Sequence, residues 1–282
     1  MRLITYTLLL AFLAVTGTFF TACAQEKKLV KVWETDTMLR VPESVYFDKN
    51  DQLFFITNIE GNGWDADGKG SVVKLGLDRK LIKDNWITGL NAPKGIGRHK
   101  NLLYVADITQ LVIIDIAKGE VKEKINVEGA ERLNDVTVGA AGEVYVTDTK
   151  ARRLYKFANH TTSVVLDSNQ LKGPNGVLYF QGQLYIADAG SLYRIEANKS
   201  LTTLASGMEA STDGIIALGD GAFIVSCWIG TIYHVKKDGT KNLLLDTRAQ
   251  KLNTADIDYD PKKKILFVPT FFGNKVVAYR VQ

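Results

Sequence analysis

One phrase recurs six times along this 282-residue chain and limits what the chain can fold into. Its clearest copy is Gly173–Ala189, GPNGVLYFQGQLYIADA. A Pro-Asn-Gly opening leads there into an apolar run, a turn at Gly182 and an alternating run that ends at Asp188. Apolar runs bounded by Gly, Pro and Asn read as strands, and two in succession across a Gly-containing turn read as a hairpin. The other copies open at Pro42-Glu43-Ser44-Val45, Pro93-Lys94-Gly95-Ile96, Leu133-Asn134-Asp135-Val136, Thr212-Asp213-Gly214-Ile215 and Thr254-Ala255-Asp256-Ile257. Their second positions are separated by 51, 40, 41, 38 and 42 residues, close to the period of a propeller blade. Each copy carries a third apolar run, such as Val72–Leu75 or Leu192–Ile195, and a fourth is readable at Leu201–Leu204 and Asn242–Leu245. The expected fold is therefore all-β, a six-bladed β-propeller. The last copy runs out after about three strands at Gln282, while Leu29–Trp33 stands as a spare strand ahead of the first. Pairing that N-terminal strand into the last blade closes the ring and leaves no long free edge.

The residues before that strand read differently. A short basic start, Met1-Arg2, precedes the apolar stretch Leu3–Phe20, as in a secretory signal. Phe20-Thr21-Ala22-Cys23 resembles a lipoprotein lipobox, so Cys23 is the expected lipidation site and mature N-terminus. The expected layout is a signal peptide over 1–22, a tether over 23–28 and one propeller over 29–282. Ala24 after the cysteine suits a periplasm-facing outer-membrane lipoprotein, with a soluble periplasmic protein as the alternative. Contact with the membrane would be through the N-terminal lipid only. Cys227 alone remains beyond Cys23, which leaves no disulfide within the mature domain. It occupies the strand-end place that Asp107, Asp148 and Asp188 hold in their copies, and reads as a small buried residue. The net charge of +4 is spread along the chain, so nucleic-acid binding is not expected. The oligomeric state is left open.

The innermost strand of each blade lines the central channel of a propeller, so equivalent repeat positions form a ring. The second position of the phrase gives Glu43, Lys94, Asn134, Asn175, Asp213 and Ala255. Asn175-Gly176 and Asp213-Gly214 can equally be read as ordinary turn pairs. That alternative does not account for Glu43 and Lys94, because long charged side chains aimed into a channel are costly unless paired or coordinated. Carboxylate and amide oxygens without His or Cys are hard ligands that suit Ca²⁺ over Zn²⁺ or Cu²⁺. His99, His160 and His234 all fall off the ring, and no Gly-x-Ser-x-Gly elbow occurs.

With these motifs in order, the chain from Trp33 onward resembles the SMP-30/gluconolactonase/LRE-like family of six-bladed propellers. The resemblance is carried by Pro42-Glu43, Arg132-Leu133-Asn134-Asp135, Pro174-Asn175-Gly176 and Asp213-Gly214, spread over four copies. It implies that Glu43, Asn175 and Asp213 hold a divalent metal, with Asn134 a ligand or a water-mediated neighbour. It also implies that Arg132 binds substrate. The metal would polarise a lactone or ester carbonyl and lower the pKa of a bound water, with Asp213 as general base. Lys94 has no counterpart in that scheme. It could pair Glu43 or Asp213 in place of the metal, or contact substrate at the rim and stabilise an oxyanion.

Ile59–Gly70, IEGNGWDADGKG, lengthens the first copy and accounts for its longer step. Gly63–Lys69 nearly spells a phosphate loop but lacks the Ser/Thr and the following helix. Asp65, Asp67 and Gly68 hint at a calcium loop without its bidentate Glu. A lid over the channel mouth with Trp64 as a substrate wall is the reading carried forward, and Trp228, Phe271 and Phe272 are further candidate walls. The function expected is hydrolysis of a sugar lactone or related small ester, dependent on a divalent metal. The rival is a non-catalytic propeller that binds a small molecule or a partner protein.

Overall fold

The computed structural model describes residues 26–282. The signal peptide and the Cys23 lipidation site expected above lie outside the described residues. Within them the chain forms 24 strands in six four-stranded antiparallel sheets, the blades of a six-bladed propeller. Blade 1 runs outward through Pro42–Asp48, Leu53–Asn58, Gly70–Gly76 and Leu81–Leu90. The inner strands of the next four blades are Pro93–His99, Leu133–Val138, Pro174–Phe180 and Thr212–Ala217. Blade 6 begins with a short inner strand, Asp258–Asp260.

Burial follows the position of each strand within its blade. Second strands are enclosed on both faces, so Val144–Asp148, Phe223–Cys227 and Ile265–Pro269 are buried throughout and read as near-continuous apolar runs. Outer strands face solvent, and Glu120–Asn126 is mostly polar. The core is a set of layers between neighbouring blades. Phe47, Phe54 and Val73 of blade 1 pack on Phe267 and Val276 of blade 6, and Leu103 and Val105 of blade 2 pack on Phe55 and Val72 of blade 1. The layer between blades 4 and 5 includes Cys227, whose thiol burial pushes up to about 12. The cysteine is thus the small buried residue expected.

The ring closes as the sequence indicates. Leu29–Glu34 pairs antiparallel with Val276–Val281 as the outer strand of blade 6. Lys28 and Gln282 exchange backbone hydrogen bonds of 3.0 Å in both directions. Trp33 packs its ring 6.1 Å from Phe54 and 5.9 Å from Phe267, bridging the first and last blades.

Two sequence readings need correction. The long step after the first copy comes from the Ile59–Gly70 loop together with an outer strand of 10 residues, longer than any other. The Asn175-Gly176 and Asp213-Gly214 pairs do not make turns: both glycines lie inside strands and neither has a positive φ. They are glycines because blades meet there. A Cβ at Gly176 would fall 1.8 Å from the Asp213 carbonyl oxygen, and one at Gly214 would fall 2.6 Å from the Ile257 nitrogen.

Candidate functional site

In blades 1 to 5 the pairing of inner and second strands slips register within the opening phrase, between Pro42 and Val45, Pro93 and Ile96, Leu133 and Val136, Pro174 and Val177, and Thr212 and Ile215. A bulge bends its strand and re-aims the side chains at the kink. The second position of every one of these phrases therefore sits on a bulge. Hydroxyls on alternate blades pin the bulges. Thr57 accepts from the Ser44 nitrogen at 3.0 Å and donates to the Lys94 carbonyl of the next blade at 2.9 Å. Ser226 likewise accepts from Gly214 at 2.9 Å and donates to the Ala255 carbonyl at 2.8 Å. At the end of the second strand, Asp107, Asp148 and Asp188 accept backbone N–H bonds from the segments that lead into the inner strands, at Ala92, Glu131 and Gly173.

These constraints bring the predicted residues together. Glu43, Lys94, Asn134, Asn175 and Asp213 line one cavity of about 320 Å³, walled by Trp64, Trp228 and Phe271. Ala255, the sixth member of the ring, lies instead in an apolar cluster with Ile59, Ala92 and Phe271. Glu43, Lys94, Asn134 and Asp213 are all more than nine-tenths buried. Glu43 Oε2, Asn175 Oδ1 and both carboxylate oxygens of Asp213 are buried without a hydrogen-bond partner among the described residues. Desolvation pushes the Glu43 carboxyl up to about 7, against the pull of Lys94. Asp213 is raised well above the ordinary carboxylate range by desolvation, then by the Glu43 and Asp135 charges.

Lys94 forms no salt bridge with Glu43 or Asp213 among the described residues. Its Nζ lies 4.4 Å from the centroid of the Trp64 ring, a cation–π contact. Desolvation lowers its pKa, while Glu43 and Asp213 oppose that shift. Arg132 does not line the cavity. Its backbone nitrogen donates to Asp148, and its exposed guanidinium lies 5.1 Å from the same Trp64 ring. Asn134 donates its amide to Thr149 at 3.0 Å, and Thr149 donates in turn to the Pro174 carbonyl at 2.8 Å.

The loop that delivers Trp64 is the one expected to cover the mouth, and Gly63 and Trp64 both reach the cavity. Within it Asp67 pairs with Lys69 at 3.0 Å. Trp228 packs edge-on against Phe271 at 5.3 Å, which makes a continuous aromatic wall.

Sequence reasoning missed a second layer one residue further along the phrase. Asp135 accepts from Val136 at 2.6 Å and from Val177 of the next blade at 2.7 Å, and desolvation pushes it up to about 7. Ser44 donates to Asp256 at 2.5 Å across the junction of blades 1 and 6. Asp135 and Asp256 line the opposite mouth of the channel, a separate cavity of about 320 Å³. Aligning third positions would have shown them, since that column holds Ser44, Gly95, Asp135, Gly176, Gly214 and Asp256.

Among the described residues no group of three or more His, Cys, Asp or Glu side chains is placed to hold a metal. The set at the channel mouth is two carboxylates with carboxamide oxygen, and its partnerless oxygens are those that a hard divalent cation takes. It fits Ca²⁺ and lacks the nitrogen and sulfur donors typical of zinc or copper sites.

By sequence, no protein family and no curated protein matches the chain. By structure it is similar to a gluconolactonase from Xanthomonas campestris, with a TM-score of 0.68, 14% identity, and 90% of this chain and 89% of that one covered. A gluconolactonase candidate superposes with a TM-score of 0.68 at 15% identity over 91% of this chain and 92% of that one. A streptogramin B lyase does so with a TM-score of 0.64 at 12% identity over 91% of this chain and 98% of that one. The likeness agrees with the fold described above, a six-bladed propeller.

Proposed function

We propose that the protein is a metal-dependent hydrolase of a sugar lactone or related small ester, with Ca²⁺ as the metal. The observation that carries this reading is the convergence of Glu43 Oε2, Asn175 Oδ1 and both Asp213 oxygens on one cavity, buried and without a donor among the described residues. Buried carboxylate oxygens with nothing to bond are costly, and a cation offsets that cost. Glu43, Asn175 and Asp213 would hold the ion, with Asn134 beside them. When bound, a divalent cation supplies charge stabilisation for a carbonyl oxygen and acidifies water.

The chain's own groups supply the rest. Asp213, where substrate displaces part of its coordination, accepts a proton from the attacking water. Asn134 is held in one orientation by Thr149, and so presents a fixed dipole to the substrate. Lys94 offers a positive charge to the substrate from the cavity wall. Trp64, Trp228 and Phe271 exclude water and shape the opening. Export and lipidation at Cys23 would place this chemistry on the periplasmic side of the outer membrane, which the mass of the mature N-terminus tests.

The deciding experiment is metal analysis of the purified domain, its melting temperature with EDTA and with added Ca²⁺, and a lactone-hydrolysis screen. One equivalent of metal, a melting point that falls on chelation and recovers with Ca²⁺, and hydrolysis lost in Asp213→Asn support the reading. No metal and no calcium response overturn it. Glu43→Ala should abolish the calcium response while the domain stays folded.

A further inference from the structure

Asn134, Thr149, Ser211 and Thr212 on the wall of the mouth cavity each hold a hydrogen bond within the fold. Asn134 is bonded to Thr149, and Thr149 to the Pro174 carbonyl. Ser211 accepts from the Ile229 nitrogen at 3.3 Å, and Thr212 accepts from Gly190 at 3.3 Å. These bonds orient the groups and leave each part of its capacity, and beside them the wall carries aromatic surface in Trp64, Trp228 and Phe271.

Charge adds a second constraint. On the hydrolase reading, a divalent cation balances Glu43 and Asp213. Lys94 and Arg132 then remain beside one indole, at 4.4 and 5.1 Å from its centroid, with no ion-pair partner among the described residues beyond the carboxylates the cation takes. Of the two, only Lys94 reaches the cavity. We propose that this mouth selects a lactone or ester that carries an anionic group on a flat apolar body. The anion meets Lys94, and the ring lies against Trp64, Trp228 and Phe271. Trp64 is then a specificity determinant, because it places both cations and forms one wall. The proposal rests on the hydrolase reading and narrows its substrate class.

The test measures binding independently of turnover. Two lactam mimics that resist hydrolysis, isoindolinone-5-carboxylate and isoindolinone-5-carboxamide, are titrated calorimetrically against the full domain in Ca²⁺ and in EDTA. The carboxylate is expected to bind about tenfold more tightly than the carboxamide in Ca²⁺. Lys94→Met, nearly isosteric, should bring the two affinities together while retaining carboxamide binding. Trp64→Leu should weaken both, and it serves as the second variant if Lys94→Met fails to fold. Equal or tighter binding of the carboxamide, a preference unchanged in Lys94→Met, or no binding of either mimic overturns the proposal. A charge preference that persists identically in EDTA, with no calcium response in melting temperature, removes the metal reading and leaves the anion preference standing.

Discussion

The Thr147 hydroxyl of blade 3 donates a 2.6 Å hydrogen bond to the carbonyl of Asn175 in blade 4, and the same oxygen accepts from the Asp135 nitrogen at 2.9 Å. One buried hydroxyl thus fixes the backbone of a candidate metal ligand and the bulge behind it. Thr147→Val keeps the shape and removes both bonds. It should lower stability by about 2 kcal/mol, because the Asp135 nitrogen loses its acceptor. It should also weaken the calcium-induced rise in melting temperature. An unchanged calcium response would mean that Asn175 is placed by other contacts.

The crowded carboxylates predict an unusual pH dependence for the metal-free protein. Desolvation raises Glu43 and Asp135 to about 7, and Asp258 at the opposite mouth to about 6. Each binds its proton more tightly folded than unfolded. Their stabilising contribution is therefore present below the unfolded carboxylate range and lost as pH rises through the folded values. Melting temperature in EDTA should fall from about pH 5 to about pH 8, and Ca²⁺ should recover more of it at the higher pH. A metal-free protein most stable at about pH 8 would contradict this account of the channel.

Blade contact at Gly176 gives a sharper steric prediction. An added Cβ would meet the Asp213 carbonyl oxygen at 1.8 Å, so the backbone that carries Asp213 must move. Gly176→Ala should cost upward of about 3 kcal/mol and reduce calcium affinity along with stability. Gly173, also on the cavity wall, has no atom within 4 Å of its would-be Cβ, and Gly173→Ala should be tolerated. Denaturant melts of the two variants make the comparison. Equal losses would remove the close-approach explanation.

Trp33 joins Phe54 of the first blade to Phe267 of the last. Because the indole is only partly buried, Trp33→Ala should cost about 2–3 kcal/mol. The larger effect should be on opening of the seam. Hydrogen exchange at Val277 and Tyr279, which pair with Glu34 and Lys31, should accelerate well before exchange in blade 3. Uniform acceleration around the ring would mean that the seam is not a separate unit.

The blades were legible because each strand pair is punctuated by Gly, Pro or Asn, and the residues of the site share one column of the repeat. Three kinds of information were not legible. Lys94 was readable as a channel cation, but its stacking on Trp64 depends on the path of the Ile59–Gly70 loop, which no periodicity specifies. Gly176 and Gly214 looked like turn residues because glycine serves close approach and positive φ alike, and only geometry separates the two uses. The Asp135–Asp256 layer was hidden because glycine fills the same column in three copies. Ala255 fell in the right column yet joined the apolar collar, since its copy forms only a short inner strand.

The pairing of Leu29–Glu34 with Val276–Val281 also orders events in time. The first strand of the propeller to leave the ribosome is the last to find its partner, and it must wait while the five intervening blades are made. During that wait Val30 and Val32, about half exposed even in the finished ring, stand on an edge that any other strand could claim. Final closure is a contact between the two most distant parts of the sequence, the kind that forms slowly. Once formed, it ties the first-made strand to the last, so neither end can peel away without breaking the seam.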